Sequence, residues 1–286
     1  MKNLIILLVL LIIALNINAQ ITPPAIQWQR SLGGSNDDKA NSVKQTIDGG
    51  YIIAGASQSN NGNVTGNHGN NMDDYWIVKL DSSGNMQWEK SFGGTFREEA
   101  YSIEQTKDKG YIIAGRTESN DGNVTGCHGT PGNYIFDYWI VKLDTTGNIQ
   151  WEKCYGGSGD DEALSINQTN DKGYIITGLT TSNDFDVSGN HDTTNSYRDA
   201  WLLKIDSTGN IQWQKCLGGT YEDYGTYIKQ TKDGGYIIGG SSESNDWDVS
   251  GNHDTTGNYS DCWVVKIDSL GILQWQKCYG VSWNSW

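Results

Sequence analysis

Asp48-Gly49-Gly50-Tyr51-Ile52-Ile53-Ala54-Gly55 is the stretch that decides the fold. It returns as Asp108-Lys109-Gly110-Tyr111-Ile112-Ile113-Ala114-Gly115, as Asp171-Lys172-Gly173-Tyr174-Ile175-Ile176-Thr177-Gly178, and as Asp233-Gly234-Gly235-Tyr236-Ile237-Ile238-Gly239-Gly240. A Gly-rich turn feeds a short apolar, β-branched run, and Gly closes it. That pattern reads as a hairpin turn followed by a buried strand. Four copies at near-constant spacing define a repeat architecture.

Aligning on Trp28, Trp88, Trp151, Trp213 and Trp275 gives spacings of 60, 63, 62 and 62. From each Trp to the following Tyr of the Tyr-Ile-Ile run is always 23 residues, and from the second Trp (Trp76, Trp139, Trp201, Trp263) to the next aligned Trp is always 12. Only the leg between them varies, at 25, 28, 27 and 27 residues. All length variation therefore falls in one loop per repeat, as expected of loops projecting from one face of a rigid stack.

Each unit reads as four strands, typified by Tyr101–Thr106 (A), Tyr111–Gly115 (B), Tyr138–Leu143 (C) and Ile149–Lys153 (D). Tight turns join A to B through Asp-x-Gly, and C to D through Asp144-Thr145-Thr146-Gly147-Asn148. In strand C, Trp139, Val141 and Leu143 share one face and Tyr138 and Ile140 the other. Both faces are apolar, so the strand is expected to lie between neighbouring sheets. Serial four-stranded antiparallel units are the blades of a β-propeller, and the class is all-β.

Leu143-Asp144-Thr145-Thr146-Gly147-Asn148-Ile149-Gln150-Trp151 resembles the tryptophan-docking motif of quinoprotein-type propellers, in which Leu-Asp, a turn Gly and a Trp pin each blade to the next. Leu80-Asp81…Gly84…Trp88, Ile205-Asp206…Gly209…Trp213 and Ile267-Asp268…Gly271…Trp275 match it too. The chain from residue 20 to 286 is similar to the repetitive propeller proteins that bacteria export. The resemblance implies the fold and carries no quinone site.

Residues 1–19 read as a secretory signal peptide: Lys2, an apolar run from Leu4 to Leu15, then Asn18-Ala19 before Gln20. The mature chain is expected to be periplasmic or extracellular, with no membrane span after cleavage. The net charge of −14 argues against nucleic acid and against anionic membrane surfaces. Cations or partners with basic patches are the natural complement.

Cys154, Cys216 and Cys278 occupy one repeat position, where the other copies have Ser31 and Ser91. They read as small buried hydrophobes, unbridged to one another and free. Cys127 and Cys262 have no obvious mates. The chain begins on a D-like segment, Ile26-Gln27-Trp28-Gln29, and ends on another, Leu273-Gln274-Trp275-Gln276. That arrangement predicts four blades of an incomplete ring, with edge strands prone to self-association.

The long B–C loops and the D–A loops emerge on one face of such blades. An acid stands ten residues after each aligned Trp, at Asp38, Glu98, Asp161 and Asp223. All four His sit at one loop position: His68, His128, His191 and His253. They read either as a ring of ligands, with His191 and His253 as candidates, or as side chains that close their own loops; four identical copies favour the second. Phe185 and Trp247 are candidate ligand platforms, because they stand where other loops have Gly122 and Gly62.

Asp184-x-Asp186-x-Ser188-Gly189 and Asp246-x-Asp248-x-Ser250-Gly251 alternate oxygen side chains before a Gly, the opening half of a calcium loop. Asp121-x-Asn123-x-Thr125-Gly126 keeps one formal charge, Asn61-x-Asn63-x-Thr65-Gly66 none. Asp199 and Asp261 could close the two charged loops. The competing reading is that these residues build Asx-turns. The polar residues recur in register, and departures such as Arg97, Arg116 and Arg198 are isolated. The sequence therefore points to a non-catalytic binding, adhesion or scaffold module with a protein or glycan ligand on its acidic face. The alternative is a glycan-acting hydrolase that uses top-face carboxylates.

Overall fold

A computed structural model of the chain describes residues 25–69, 71–192, 196–254 and 256–281. The expected signal peptide lies outside the described residues. Among those residues the chain has sixteen strands and no helix. The first sheet holds β1 (Asp38–Gln45), β2 (Tyr51–Ser57), β3 (Asp74–Leu80) and β4 (Met86–Phe92). The second holds β5 (Glu98–Gln105), β6 (Tyr111–Thr117), β7 (Asp137–Leu143) and β8 (Ile149–Tyr155). The third holds β9 (Asp161–Gln168), β10 (Tyr174–Thr180), β11 (Asp199–Ile205) and β12 (Ile211–Leu217). The fourth holds β13 (Asp223–Gln230), β14 (Tyr236–Ser242), β15 (Asp261–Ile267) and β16 (Leu273–Tyr279). Every sheet is antiparallel, and its strands are neighbours in chain order. This is a four-bladed, propeller-like repeat.

The chain divides into two units at Arg30. Of the first, residues 25–30 are described, and they form no strand. The expected D strand at Ile26–Gln29 is therefore corrected. Each sheet takes its four strands from one continuous A–B–C–D run, and Ile26 is exposed. Within the second unit, strand packing joins the first sheet to the second, the second to the third and the third to the fourth; no strand of the fourth packs substantially on the first among the described residues. The open arc matches the sequence expectation.

Local chemistry explains the repeat. The Asp of each A–B turn accepts from the Gly two residues on, as Asp108 Oδ1 does from Gly110 N–H at 3.0 Å, and Thr106 Oγ1 donates to the same oxygen. Lys109 and Lys172 hold the left-handed turn position (φ 68° and 71°) that Gly49 and Gly234 fill in the other copies. The Gly that closes each apolar run faces a bulge in the neighbouring strand. A Cβ on Gly55, Gly115, Gly178 or Gly240 would run into the carbonyl oxygen of Lys39, Glu99, Glu162 or Tyr224.

β3, β7 and β11 are buried along their whole length, as two apolar faces required. Even their Lys is buried. Lys142 Nζ reaches Asp108 Oδ2 of the A–B turn at 3.0 Å and donates to Leu143 O. The core lies between sheets: Ile52, Tyr75 and Ile77 pack with Ile103, Ile113 and Trp139 of the next blade. Tyr75 and Tyr138 hydroxyls donate across the seam to the carbonyls of Trp139 and Trp201. Trp88, Trp151 and Trp213 meet Tyr111, Tyr174 and Tyr236 of the following blade edge-on, with ring centroids 5.9, 6.0 and 5.9 Å apart. Trp275, on the last described strand, is 45% exposed.

The cysteine expectation needs correction. Cys154 is bonded to Cys127, with Cα atoms 5.1 Å apart, while Cys216, Cys262 and Cys278 are free. Cys127 replaces the Asn of the Gly-Asn-His run. Asn67, Asn190 and Asn252 tie the same loop point to backbone carbonyls of Ser57, Thr180 and Ser242. The second blade makes that tie covalently, to strand β8. The reading that no two of Cys154, Cys216 and Cys278 pair together agrees with the structure.

Candidate functional site

The face carrying the D–A and B–C connections is built by hydrogen bonds between those two loops. Thr95 N–H donates to Asp121 Oδ1 at 2.8 Å, Ser158 N–H to Asp184 Oδ1 at 2.7 Å, and Thr220 N–H to Asp246 Oδ1 at 2.9 Å. The next oxygen residue closes the other end: Asn123 Oδ1 accepts from Gly93 N–H and Asp186 Oδ2 from Gly156 N–H. Ser188 Oγ and Ser250 Oγ accept from the amides of Gln214 and Gln276 on the D strands. Most of the oxygens proposed for calcium thus accept from loop or strand donors, as Asx-turns would have them, whereas Asp248 Oδ2 is buried without a hydrogen-bond partner among the described residues. Asp199 and Asp261 each accept the backbone N–H and face the ring of the His that ends these loops.

The His position is a staple. His68, His128, His191 and His253 place Nδ1 at 2.7, 3.3, 2.6 and 2.6 Å from Asp74, Asp137, Asp199 and Asp261, the first residues of β3, β7, β11 and β15. The same carboxylate oxygen accepts the His backbone N–H. His191 also has Asp248 Oδ2 of the next blade 3.6 Å from Nε2, so carboxylates flank both ring nitrogens. The Asp199 hydrogen bond, and then the nearby carboxylates, raise the His191 pKa. Both ring nitrogens of His191 thus face carboxylates, one from its own blade and one from the next. Among the described residues His253 pairs with Asp261 of its own blade, and it is more exposed.

Phe185 and Trp247 cap this staple from the following blade. Phe185 lies over His128, centroids 4.7 Å apart, and Trp247 over His191 at 5.4 Å. Both are largely exposed, at 71% and 74%. Both adopt left-handed backbone, φ 51° and 52°, at the position where Gly62 and Gly122 have φ 66° and 63°. A bulky residue is costly there, by about 1–3 kcal/mol. The structure thus brings Phe185, Trp247 and His191 together with Asp186 and Asp248 on one face, whereas Asp184 and Asp246 serve the loop joints.

Besides the disulfide, sequence reasoning missed three features. Arg116 is not isolated: its guanidinium bonds Glu99 at 2.7 Å and Glu162 of the next blade at 3.0 Å, and it covers the Phe136 ring. Arg198 similarly reaches Asp160 at 3.3 Å and Glu222 at 3.8 Å. The third feature is the placement of the repeated acids. Glu98, Asp161 and Asp223 are buried at the seams, beside Asp74, Asp137 and Asp199. Alignment of Cys127 with Asn67, Asn190 and Asn252 was the available signal for the disulfide.

No protein-family model matches the chain. Among curated proteins it is similar to the regulatory protein FlaEY of Caulobacter vibrioides, 22% identical over 234 residues, covering 80% of this chain and 23% of that one. The chain thus spans about a quarter of that relative's length. Among solved structures, a protein of unknown function from Bacteroides caccae matches over 84% of this chain and 82% of its own, at 14% identity and a TM-score of 0.32. No helix among the described residues is long and apolar enough to cross a membrane.

Proposed function

We propose that this chain is an exported, non-catalytic binding or scaffold module whose acidic loop face takes a glycan or protein ligand through Phe185 and Trp247. The observation that carries this reading is the pair of exposed aromatic rings held at left-handed φ where sister loops use Gly. Strain kept in place by its surroundings marks functional positions. Flat apolar rings beside carboxylates suit a sugar face with hydroxyl donors, or a basic side chain. The resemblance to the tryptophan-docking motif belongs to the frame: Trp88 lies against Gly147 and Trp213 against Gly271.

The test is binding of purified protein to a glycan array and to cell-surface material, repeated with Phe185→Gly and Trp247→Gly. Loss of binding with an unchanged melting temperature supports the reading. Undiminished binding in the double variant overturns it. Turnover of a bound glycan would favour the hydrolase alternative.

A further inference from the structure

We infer that the seams between blades are locked by protons, one held between Asp74 and Glu98 and one between Asp137 and Asp161. In the first seam, Asp74 is fully buried at the start of β3 and Glu98 fully buried at the start of β5. Both carboxylates reach into the space a side chain at Gly93 would fill. Asp74 Oδ1 lies 2.8 Å from where that Cβ would stand, and Glu98 Oε2 lies closer. Among the described residues, neither Asp74 Oδ1 nor Asp137 Oδ1 accepts a hydrogen bond. Asp137 Oδ1 and Asp161 Oδ2 share the space beside Gly156 in the same way.

The remaining oxygens are accounted for. Glu98 Oε2 accepts from Gly94 N–H at 2.9 Å and Oε1 from Thr117 Oγ1 at 2.7 Å. Asp161 Oδ2 accepts from Gly157 N–H and Ser182 Oγ, both at 2.8 Å. Asp74 Oδ2 and Asp137 Oδ2 serve His68 and His128. The titratable groups facing the first pair are His68 from the β2–β3 loop, Tyr75 on β3 and Asp73 before it. Those facing the second are His128, Tyr138, Asp186 from the β10–β11 loop and the Cys216 thiol on β12. None of these is a lysine or arginine.

Two buried carboxylates that cannot both ionise hold one proton between them. A hard cation would need six to eight oxygens, and here most are already taken by donors. A proton needs a single acceptor: on Asp74 Oδ1 it would donate toward Glu98 Oε2 and satisfy the one oxygen without a partner. Burial pushes the Glu98 carboxyl up to about 8, with Asp74 adding to the rise, and pushes Asp137 to about 6. These values lie above those of the unfolded chain. The folded seam therefore keeps protons that the unfolded chain has released, and stability falls as pH rises from the ordinary carboxylate range through the raised one. Asp199 Oδ1 and Asp223 Oδ2 also lie in the space beside Gly218.

The test is melting temperature against pH for the wild type, Asp74→Asn with Asp137→Asn, and Glu98→Gln, together with the infrared carboxylic-acid band in heavy water. The wild type should lose stability from about pH 5 to about pH 9 and show a protonated carboxyl band at neutral pH that disappears in mild alkali. The Asn variant carries a fixed N–H where the proton sits, so it should fold, lose most of that band and flatten the profile. A wild type without the neutral-pH band, or an Asn variant destabilised equally at every pH, would overturn the inference. Should Glu98→Gln fail to fold, the band and the Asn variant still decide.

Discussion

The ring of Trp247 stands 5.4 Å from that of His191, across the boundary between the third and fourth blades. The contact joins an exposed, strained residue to a half-buried loop staple. Trp247→Gly relieves a left-handed conformation worth about 1–3 kcal/mol and gives up a stacking contact worth about 0.5–1.5 kcal/mol. The melting temperature is expected to hold or rise slightly while ligand binding falls. A large loss of stability would show that the ring serves the fold.

The Cys127–Cys154 bond closes a span of 27 residues between the loop and β8. Reducing it should cost about 3 kcal/mol, read from denaturant melts with and without a thiol. Asn190 occupies the Cys127 position in the third blade, and Cys216 the Cys154 position. Asn190→Cys is therefore expected to form a second disulfide with Cys216, visible by peptide mapping of the unreduced protein. Free thiols at both positions after oxidation would show that the loop anchor differs between blades.

Arg116 neutralises Glu99 and Glu162 from two blades, and all three side chains are mostly buried. Arg116→Met leaves two carboxylates without their cation and should destabilise the protein by about 2–4 kcal/mol. Combining it with Glu162→Gln should recover part of that loss. Strict additivity in this double-mutant cycle would argue against coupling across the seam.

Asp184 and Asp246 accept loop N–H groups from Ser158 and Thr220, so Asp184→Ala with Asp246→Ala should lower stability without any calcium, by about 1–2 kcal/mol per site, read from denaturant melts. Added calcium is expected to leave the wild-type melt unchanged. Calorimetric uptake, strongest in the third and fourth loops, would favour the ion-binding reading.

The frame was legible because its signals are periodic. Tyr-Ile-Ile runs, paired Trp and Asp-x-Gly turns each report a local conformation, and their fixed spacing reports the blade. What sequence could not give was the meeting of residues about one repeat apart. Glu98 read as one of the repeated loop acids, and nothing in the spacing shows that Gly93 leaves room for it beside Asp74. Arg116 looked isolated because its second partner, Glu162, lies on the following blade. Ile26–Gln29 matched a D strand in pattern, but no strand forms there. A pattern reports propensity; pairing also needs a neighbour in register.

The His–Asp staple locates the variable length more narrowly than the spacing of the tryptophans does. From the Tyr of each Tyr-Ile-Ile run to the His is always 17 residues, and from the Asp to the second Trp always two. All the variation falls between His and Asp, which are 6, 9, 8 and 8 residues apart. Both ends of that segment are clasped to each other by the same carboxylate, so its closure entropy is already met by the frame and lengthening it adds little. Each blade therefore carries a cassette whose content can drift or be replaced without disturbing register. Foreign peptides inserted between His128 and Asp137 would be displayed from a fixed base, side by side with those of the adjoining blades.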